Sequence, residues 1–116
     1  PYDPEIVAHV TRIGAEAGAD IVKSVYTGDL DSFRSVVKRC PVPIVIAGGP
    51  KSKTDAEILE MCSNAIEAGA RGVTFGRNIF QHDNPSSLVK ALYEIVIDKK
   101  NYSEVMKNFG QRKRKK

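Results

Sequence analysis

The stretch VPIVIA at residues 42–47 is continuously apolar, and Gly48-Gly49-Pro50 follows it directly. A strand that faces water on one side alternates apolar and polar residues, whereas an unbroken apolar run is typical of a strand covered on both faces of a parallel sheet. The stretch therefore predicts a strand of a parallel sheet that ends at the two glycines.

Two further segments, ADIVKSV at 19–25 and GVTF at 72–75, are short, apolar and partly β-branched, and we predict a strand in each. The same four residues, Glu-Ala-Gly-Ala, stand before both strands, at 16–19 and again at 67–70. A glycine at the end of a helix commonly adopts a left-handed conformation. We therefore expect Gly18 and Gly69 each to end a helix and to lead into a strand.

Helical patterns separate and follow these strands. Asp3-Pro4-Glu5 is a helix start, because aspartate caps, proline fits the first position and an acidic residue suits the first turn. The predicted helices carry their apolar residues at helical spacing. These are Ile6, Val7, Val10 and Ile13; Phe33, Val36 and Val37 after a cap at Asp31 or Ser32; Ile58, Leu59, Cys62 and Ile66 after a cap at Thr54 or Asp55; Leu88, Val89, Leu92 and Ile95 after Pro85; and a short helix around residues 103–109.

This alternation of helices and strands predicts a parallel α/β sheet with right-handed crossovers. Three strands are fewer than the five of an open flavodoxin-like sheet or the eight of a closed barrel. The chain also begins without methionine, at a helix cap. We expect residues 1–111 to be a portion of one longer domain and 112–116 to be a basic, disordered tail.

The tail accounts for the net charge of +4. Five of the 18 basic residues lie at 112–116, so the 13 others are outnumbered by 14 acidic residues. A basic terminus can touch nucleic acid or a membrane surface, or can simply be solvated. The body lacks a basic stripe with interleaved aromatic residues, a signal peptide and an apolar run of the ~20 residues that span a membrane. We expect neither a nucleic-acid nor a membrane partner.

The composition, 41% hydrophobic and 28% charged, is that of a globular chain rather than a disordered one. Cys40 and Cys62 show no CxxC or Cys/His metal spacing. We therefore predict two reduced core thiols in a cytosolic protein without a metal site.

Reactive groups of parallel α/β folds lie at the carboxyl ends of the strands. Lys23 is near such an end, and period-2 alternation puts it on the face of Ile21 and Val25, opposite Val22. If Val22 packs against the helices, Lys23 points into a barrel lumen, where aliphatic neighbours disfavour its charged form and leave an amine that attacks carbonyl carbon. A lysine that snorkels from a strand end is the alternative.

Two glycine-containing turns follow the other strands. Gly48 and Gly49 stand after one, and Gly76 and Arg77 after the next. Glycine lets backbone N–H groups approach a phosphate closely, and arginine adds charged donors. The two turns predict a phosphate site, with simple tight turns as the alternative.

Three polar residues are weaker candidates. His82 and Tyr26 are able to transfer protons, although such side chains more often make ordinary polar contacts. Asp29 follows a glycine in a turn, so we expect it to cap backbone N–H groups rather than to catalyse.

Four ordered motifs resemble one family: ADIVK at 19–23, YTGD at 26–29, AGGPK at 47–51 and VTFGRNIFQ at 73–81. Together they are similar to the archaeal-type class I aldolases. That family includes class I fructose-1,6-bisphosphate aldolases, the synthase of 2-amino-3,7-dideoxy-D-threo-hept-6-ulosonate in archaeal aromatic amino-acid biosynthesis, and a bacterial thiolase that acts on a phosphorylated quorum-signal product. The similarity covers nearly all of the chain except the tail.

The resemblance implies the C-terminal part, about strands 6–8 with their helices, of a (β/α)8 TIM barrel. It implies that Lys23 is the Schiff-base lysine and that Gly48, Gly49, Gly76 and Arg77 bind substrate phosphate. The family's catalytic tyrosine and first-strand aspartate fall outside this chain, so the isolated piece is expected to be inactive. The resemblance further implies a cytoplasmic homo-oligomer that uses no cofactor or metal and acts on a phosphorylated sugar or keto substrate.

Within the family, the YTGD motif is similar to the aldolase and archaeal-synthase branches, and NIFQHD at 78–83 leans toward the synthase. The rival hypothesis is a non-catalytic piece that associates with other chains through its open strand edges. On either view we expect an exposed inner sheet face and a chain stable only beside the rest of a barrel. That face would comprise Ile21 and Val25, Ile44 or Val45, and Val73 or Phe75.

Overall fold

The computed structural model describes residues 3–47, 54–76, 79 and 82–114, of which 111–114 are described as backbone alone. The chain divides into two compact units. The first unit comprises Pro1–Ala47 and Asn64–Thr74, and the second comprises Gly48–Ser63 and Phe75–Lys116.

Helices and strands alternate from the first helix to the last strand, as the sequence predicts. In chain order they are α1 (Pro4–Glu16), β1 (Val22–Ser24), α2 (Leu30–Arg39), β2 (Ile44–Ala47), α3 (Asp55–Glu67), β3 (Gly72–Thr74), α4 (Pro85–Val96) and α5 (Tyr102–Arg114).

The three strands form one parallel sheet in the order β1-β2-β3. In the register of the sheet Lys23 pairs with Val45, and Ile46 pairs with Val73. The predicted parallel α/β sheet is therefore confirmed, and β2 is its middle strand.

Both Glu-Ala-Gly-Ala copies end a helix in the same way. Gly18 has a φ of 102° and Gly69 a φ of 115°, in the left-handed region that disfavours side chains. The N–H of Ala19 donates to the carbonyl of Gly14 at 3.3 Å, and the N–H of Ala70 donates to that of Ala65 at 2.9 Å. These six-residue closures satisfy helix-end carbonyls before each chain segment enters its strand.

Side chains cap the starts of the described helices. Asp3 accepts from the N–H of Glu5 at 2.9 Å, and Asn84 accepts from that of Ser87 at 3.4 Å. Thr54 and Glu57 form a reciprocal capping box at α3. At α2 the cap is Asp29, whereas Asp31 and Ser32 lie inside the first turn. The predicted cap there was wrong because the helix begins earlier than predicted, at Leu30, and Asp29 accepts from the N–H of Ser32.

The core of the first unit lies on the helix side of its sheet, where α1 packs against β1 and α2. Its buried residues are Val7, Ala8, Thr11, Val22, Phe33, Val36, Ile44, Ile46, Ala65, Ala68 and Ala70. Not all of the apolar residues that recur at helical spacing in α1 are buried. Ile6, Val10 and Ile13 are 63%, 59% and 52% exposed.

The second unit has its own buried cluster. It consists of Ile58, Leu59, Cys62, Phe75, Leu88, Ala91, Leu92, Ile95, Val105 and Phe109. Within α4, Leu88, Leu92 and Ile95 are buried as predicted, whereas Val89 is exposed.

The last helix is longer than predicted. It runs from Tyr102 to Arg114, beyond the predicted range of residues 103–109. Glutamine, lysine and arginine lose little side-chain freedom in a helix, and cations are favourable near its carboxyl end. None of the helices in the described part of the chain has the length and apolar character needed to cross a membrane.

The two left-handed glycines differ in their surroundings, which makes them a matched pair of test sites. A Cβ at Gly69 would stand 2.9 Å from Cγ1 of Val37, whereas a Cβ at Gly18 would have no neighbour within 4 Å. Each alanine substitution is expected to cost about 1–2 kcal/mol of backbone strain. Gly69→Ala should cost about 1–3 kcal/mol more, because stiff Val37 must move. Equal losses in denaturant unfolding of Gly18→Ala and Gly69→Ala would contradict this.

Candidate functional site

The carboxyl ends of the three strands lie along one edge of the sheet because the strands are parallel. This edge runs across the strands. The ends are Ser24, Ala47 and Thr74. The hydroxyl of Thr74 donates to the carbonyl of Ile46 at 3.3 Å and ties the two strand ends together. In the sequence, the segments marked as chemically unusual follow these strand ends.

Lys23 is the central residue of β1 and lies on the sheet face away from the helices. Val22, beside it in sequence, is buried on the helix side, whereas Lys23 is exposed. Its face also carries Ile21, which is 59% exposed, and its register partner Val45, which is half-buried. The predicted alternation is therefore confirmed, and the lysine stands on the face that a barrel would turn inward.

The predicted burial of Lys23 is not found within the described residues. Ile21 and Val45 flank the lysine along the sheet, but their own exposure shows that the described chain does not cover this face. The sequence left open whether Ile44 or Val45, and whether Val73 or Phe75, lies on this face. In the structure Val45 lies beside Lys23, whereas Ile44 and Phe75 are buried. An apolar environment for the amine would have to come from elements opposite this face.

The predicted phosphate-binding residues are described only at Gly76. Gly48, Gly49 and Arg77 lie outside the described residues. Gly76 is exposed, and a Cβ there would meet no atom within 4 Å. The N–H of Ile79 donates to the carbonyl of Phe75 at 3.1 Å.

The YTGD motif is used to build the connection from β1 to α2. The ring of Tyr26 lies 5.3 Å from that of the buried Phe33, and Gly28 has a φ of 99°. Asp29 accepts from the N–H of Ser32 and from its hydroxyl, both at 2.8 Å. The backbone bond, and then the hydroxyl bond, lower the pKa of Asp29 below its ordinary value. Asp29 is a helix cap, as expected.

His82 is held by partners at both ring nitrogens. Its side chain is 6% exposed, its Nδ1 accepts from the N–H of Asn84 at 2.8 Å, and its Nε2 lies 2.9 Å from Oδ1 of Asp55. These contacts leave no ring nitrogen for substrate in this arrangement. The sequence offered no signal for the pairing with Asp55, which lies 27 residues away and is created by tertiary packing.

A groove of about 400 Å³ is formed by residues of α1 and the last residue of α2. Glu5, Ile6, Ala8, His9, Arg12 and Arg39 line it. Both terminal guanidinium nitrogens of Arg39, Nη1 and Nη2, donate to Glu5 at 2.9 Å, and these bonds lower the pKa of that carboxyl. Arg39 is the last residue of α2, and Lys23 is not among the residues that line the groove.

The cysteines carry no site chemistry. Burial raises the pKa of Cys62 to about 12, which keeps it a protonated, unreactive thiol. Cys40 is only half-buried, and its thiol lies 4.0 Å from the carbonyl of Thr11. In the described part of the chain no three His, Cys, Asp or Glu residues are grouped to hold a metal ion.

Comparison with curated proteins finds relatives with several names. An uncharacterised aldolase of Saccharolobus solfataricus is 45% identical over 103 residues, which is 89% of this chain and 38% of that protein. The 3-hydroxy-5-phosphonooxypentane-2,4-dione thiolase of Shigella flexneri is 49% identical over 81% of the chain and 36% of the thiolase. The 2-amino-4,5-dihydroxy-6-oxo-7-(phosphonooxy)heptanoate synthase of Streptomyces griseus is 35% identical over 83% and 35%.

Solved structures match the same architecture. An archaeal fructose 1,6-bisphosphate aldolase superposes with a TM-score of 0.77 at 43% identity, covering 81% of this chain and 38% of its own. A second archaeal structure, with its catalytic lysine covalently bound to the carbinolamine intermediate of the substrate, gives 0.77 at 42% identity and the same coverage. The predicted fold, a piece of an aldolase TIM barrel, is confirmed.

The chain spans between about a third and two fifths of the length of these relatives. The profile of the DeoC/LacD family aldolases matches residues 1–82, well over half of the sequence. This chain belongs to the DeoC/LacD aldolase family.

Proposed function

We propose that the whole protein is a class I aldolase whose Lys23 forms an imine with the carbonyl group of a phosphorylated sugar such as fructose 1,6-bisphosphate. One observation carries the proposal. Lys23 stands one residue from the carboxyl end of β1, on the face away from the helices, in a chain 42% identical to an aldolase with a covalently occupied catalytic lysine. No other lysine of the chain lies in a described strand.

The chemistry requires an uncharged amine at Lys23. Its nitrogen attacks the carbonyl carbon, and a proton transfer gives a carbinolamine. Loss of water then gives an iminium ion. The iminium withdraws electrons from the adjacent carbon, so the carbon–carbon bond one position further breaks and its electron pair moves toward nitrogen. The hydroxyl of the leaving fragment gives up its proton as that fragment departs as an aldehyde, and the enamine left on Lys23 takes up a proton on carbon, which restores the iminium. Water then adds to the iminium and releases the product and the free lysine. Elements that cover the face of Lys23 in the whole protein would desolvate the ammonium and favour the amine.

We further propose that the phosphate group is bound by Gly48, Gly49, Gly76 and Arg77. The segments that hold them leave the sheet from β2 and β3, at the same edge as the end of β1. The names of the thiolase and synthase relatives both describe phosphorylated compounds. Phosphate binding at this edge would orient the carbonyl group for attack.

A thiolase reaction is the second candidate, favoured by the 49% identity to the Shigella flexneri protein. The two reactions share a requirement for a bound phosphorylated ketone but differ in the acceptor, because thiolysis needs a thiol. Product analysis with and without a thiol acceptor separates them. An aldolase should release an aldehyde from fructose 1,6-bisphosphate in the absence of any thiol.

The lysine assignment is tested by substitution in the whole protein. Lys23→Met should abolish borohydride trapping of fructose 1,6-bisphosphate and reduce turnover by several orders of magnitude, as expected when a nucleophile is removed. Thermal unfolding should change little, because methionine has a similar length and places no charge on a covered face. Lys38→Met, at an exposed lysine of α2, is the matched control and should keep full activity. Turnover above background in Lys23→Met would exclude the assignment.

The phosphate assignment is tested at the arginine. Arg77→Ala should weaken binding of fructose 1,6-bisphosphate by roughly 1.5–3 kcal/mol, the contribution of a hydrogen bond to a charged group. Binding of unphosphorylated fructose should be unaffected, and the ratio of the two affinities is the quantity to measure. If that ratio equals the wild-type ratio, Arg77 does not contact phosphate.

A further inference from the structure

The register of the sheet places three residues in one row across the strands. Lys23 pairs with Val45, and Val45 pairs with Gly72 on β3. Because side chains alternate along a strand, Val73, which pairs with the buried Ile46, belongs to the helix side of the sheet. Gly72 therefore stands on the face that carries Lys23, two strand spacings or about 9.5 Å from it along the sheet.

The backbone does not require a glycine at position 72. A glycine in a strand weakens it, and it often marks a bulge, a tight bend or the close approach of a ligand or another segment. The pairing of β2 with β3 is one to one from Gly72 to Thr74, so this register contains no bulge. Gly72 is not among the glycines with a positive φ. The N–H of Arg71 donates to the carbonyl of Ile44 at 2.8 Å, so the ladder also continues before Gly72 without a bend.

Crowding within this chain does not require the glycine either. A Cβ at Gly72 would lie 3.7 Å from Cγ1 of Val45, which is an ordinary van der Waals contact. Apart from its chain neighbours, no other described atom would lie within 4 Å of that Cβ. Gly72 and Val45 are both half-buried. The described residues therefore leave open space over Gly72, on the same face as the lysine.

We propose that Gly72 determines the size of the ketone that Lys23 accepts, because the substrate extends from the lysine across Val45 and its far end occupies the space over Gly72. The inference rests on the proposed function, since it assumes that Lys23 forms the imine. A side chain at position 72 would take the space that a ketose needs. A ketone of three carbons bound to Lys23 would end before β3 and would not meet that side chain.

The test adds a methyl group to either of two glycines in the first unit. Gly72→Ala places the methyl group on the face of Lys23. Gly14→Ala is the matched control, because its Cβ would lie 3.5 Å from Cγ2 of Val22, on the helix side of the same strand β1. Neither glycine has a positive φ, so alanine adopts both backbone conformations without strain.

The whole protein is assayed with a large and a small ketone. Gly72→Ala should lower kcat/KM for fructose 1,6-bisphosphate about ten-fold, and the larger Gly72→Val about a hundred-fold, the range over which added carbon groups change discrimination in a pocket. Borohydride trapping of hydroxyacetone at Lys23 should stay within about two-fold of wild type in both variants. Gly14→Ala should leave both measurements unchanged. If Gly72→Val does not fold, Gly72→Ala provides the comparison.

Unchanged turnover of fructose 1,6-bisphosphate in the Gly72 variants, with trapping at Lys23 intact, would overturn the inference and leave the lysine chemistry standing. Equal losses for hydroxyacetone and fructose 1,6-bisphosphate would overturn it as well, because another segment of the protein would then pack over Gly72. If neither ketone is trapped at Lys23 of the wild-type protein, the proposed function fails, and the inference fails with it.

Discussion

The register of β1 against β2 is the constraint on which the candidate site depends. Val22 pairs with Ile44, and both are buried on the helix side. A shift of one residue would turn the whole strand over, burying Lys23 among the helices and exposing Val22. The cost of burying an unpaired ammonium there makes the alternative register strongly unfavourable. The packing of α1 on β1 therefore also determines which face carries the lysine.

Much of this arrangement could be predicted from the sequence because it depends on local chemistry. The apolar run at 42–47, the left-handed glycines and the caps at Asp3 and Asn84 each follow from residues close together in the chain. The cap of α2 was misplaced because Asp29 and Asp31 are chemically equivalent acceptors, and only the backbone path decides between them.

The features that could not be predicted are tertiary. His82 and Asp55 are 27 residues apart, and neither has a neighbour in sequence that marks it as a partner. The exposure of Lys23 depends on what lies across the sheet, which composition and periodicity do not encode. The same holds for Ile6, Val10 and Ile13, because their spacing predicts an apolar helix face but does not identify the element that covers it.

The relatives include proteins named aldolase, synthase and thiolase, so family membership does not choose among these reactions. In the proposed function Lys23 forms the covalent bond to the substrate, so the test must locate that bond. The most direct measurement is peptide mass mapping of the whole protein after borohydride reduction with fructose 1,6-bisphosphate. Trypsin does not cleave after a modified lysine. We therefore expect one peptide that spans residues 13–34 and carries the added mass of the reduced ketose. An adduct on another lysine, with residues 13–23 released unmodified, would contradict it.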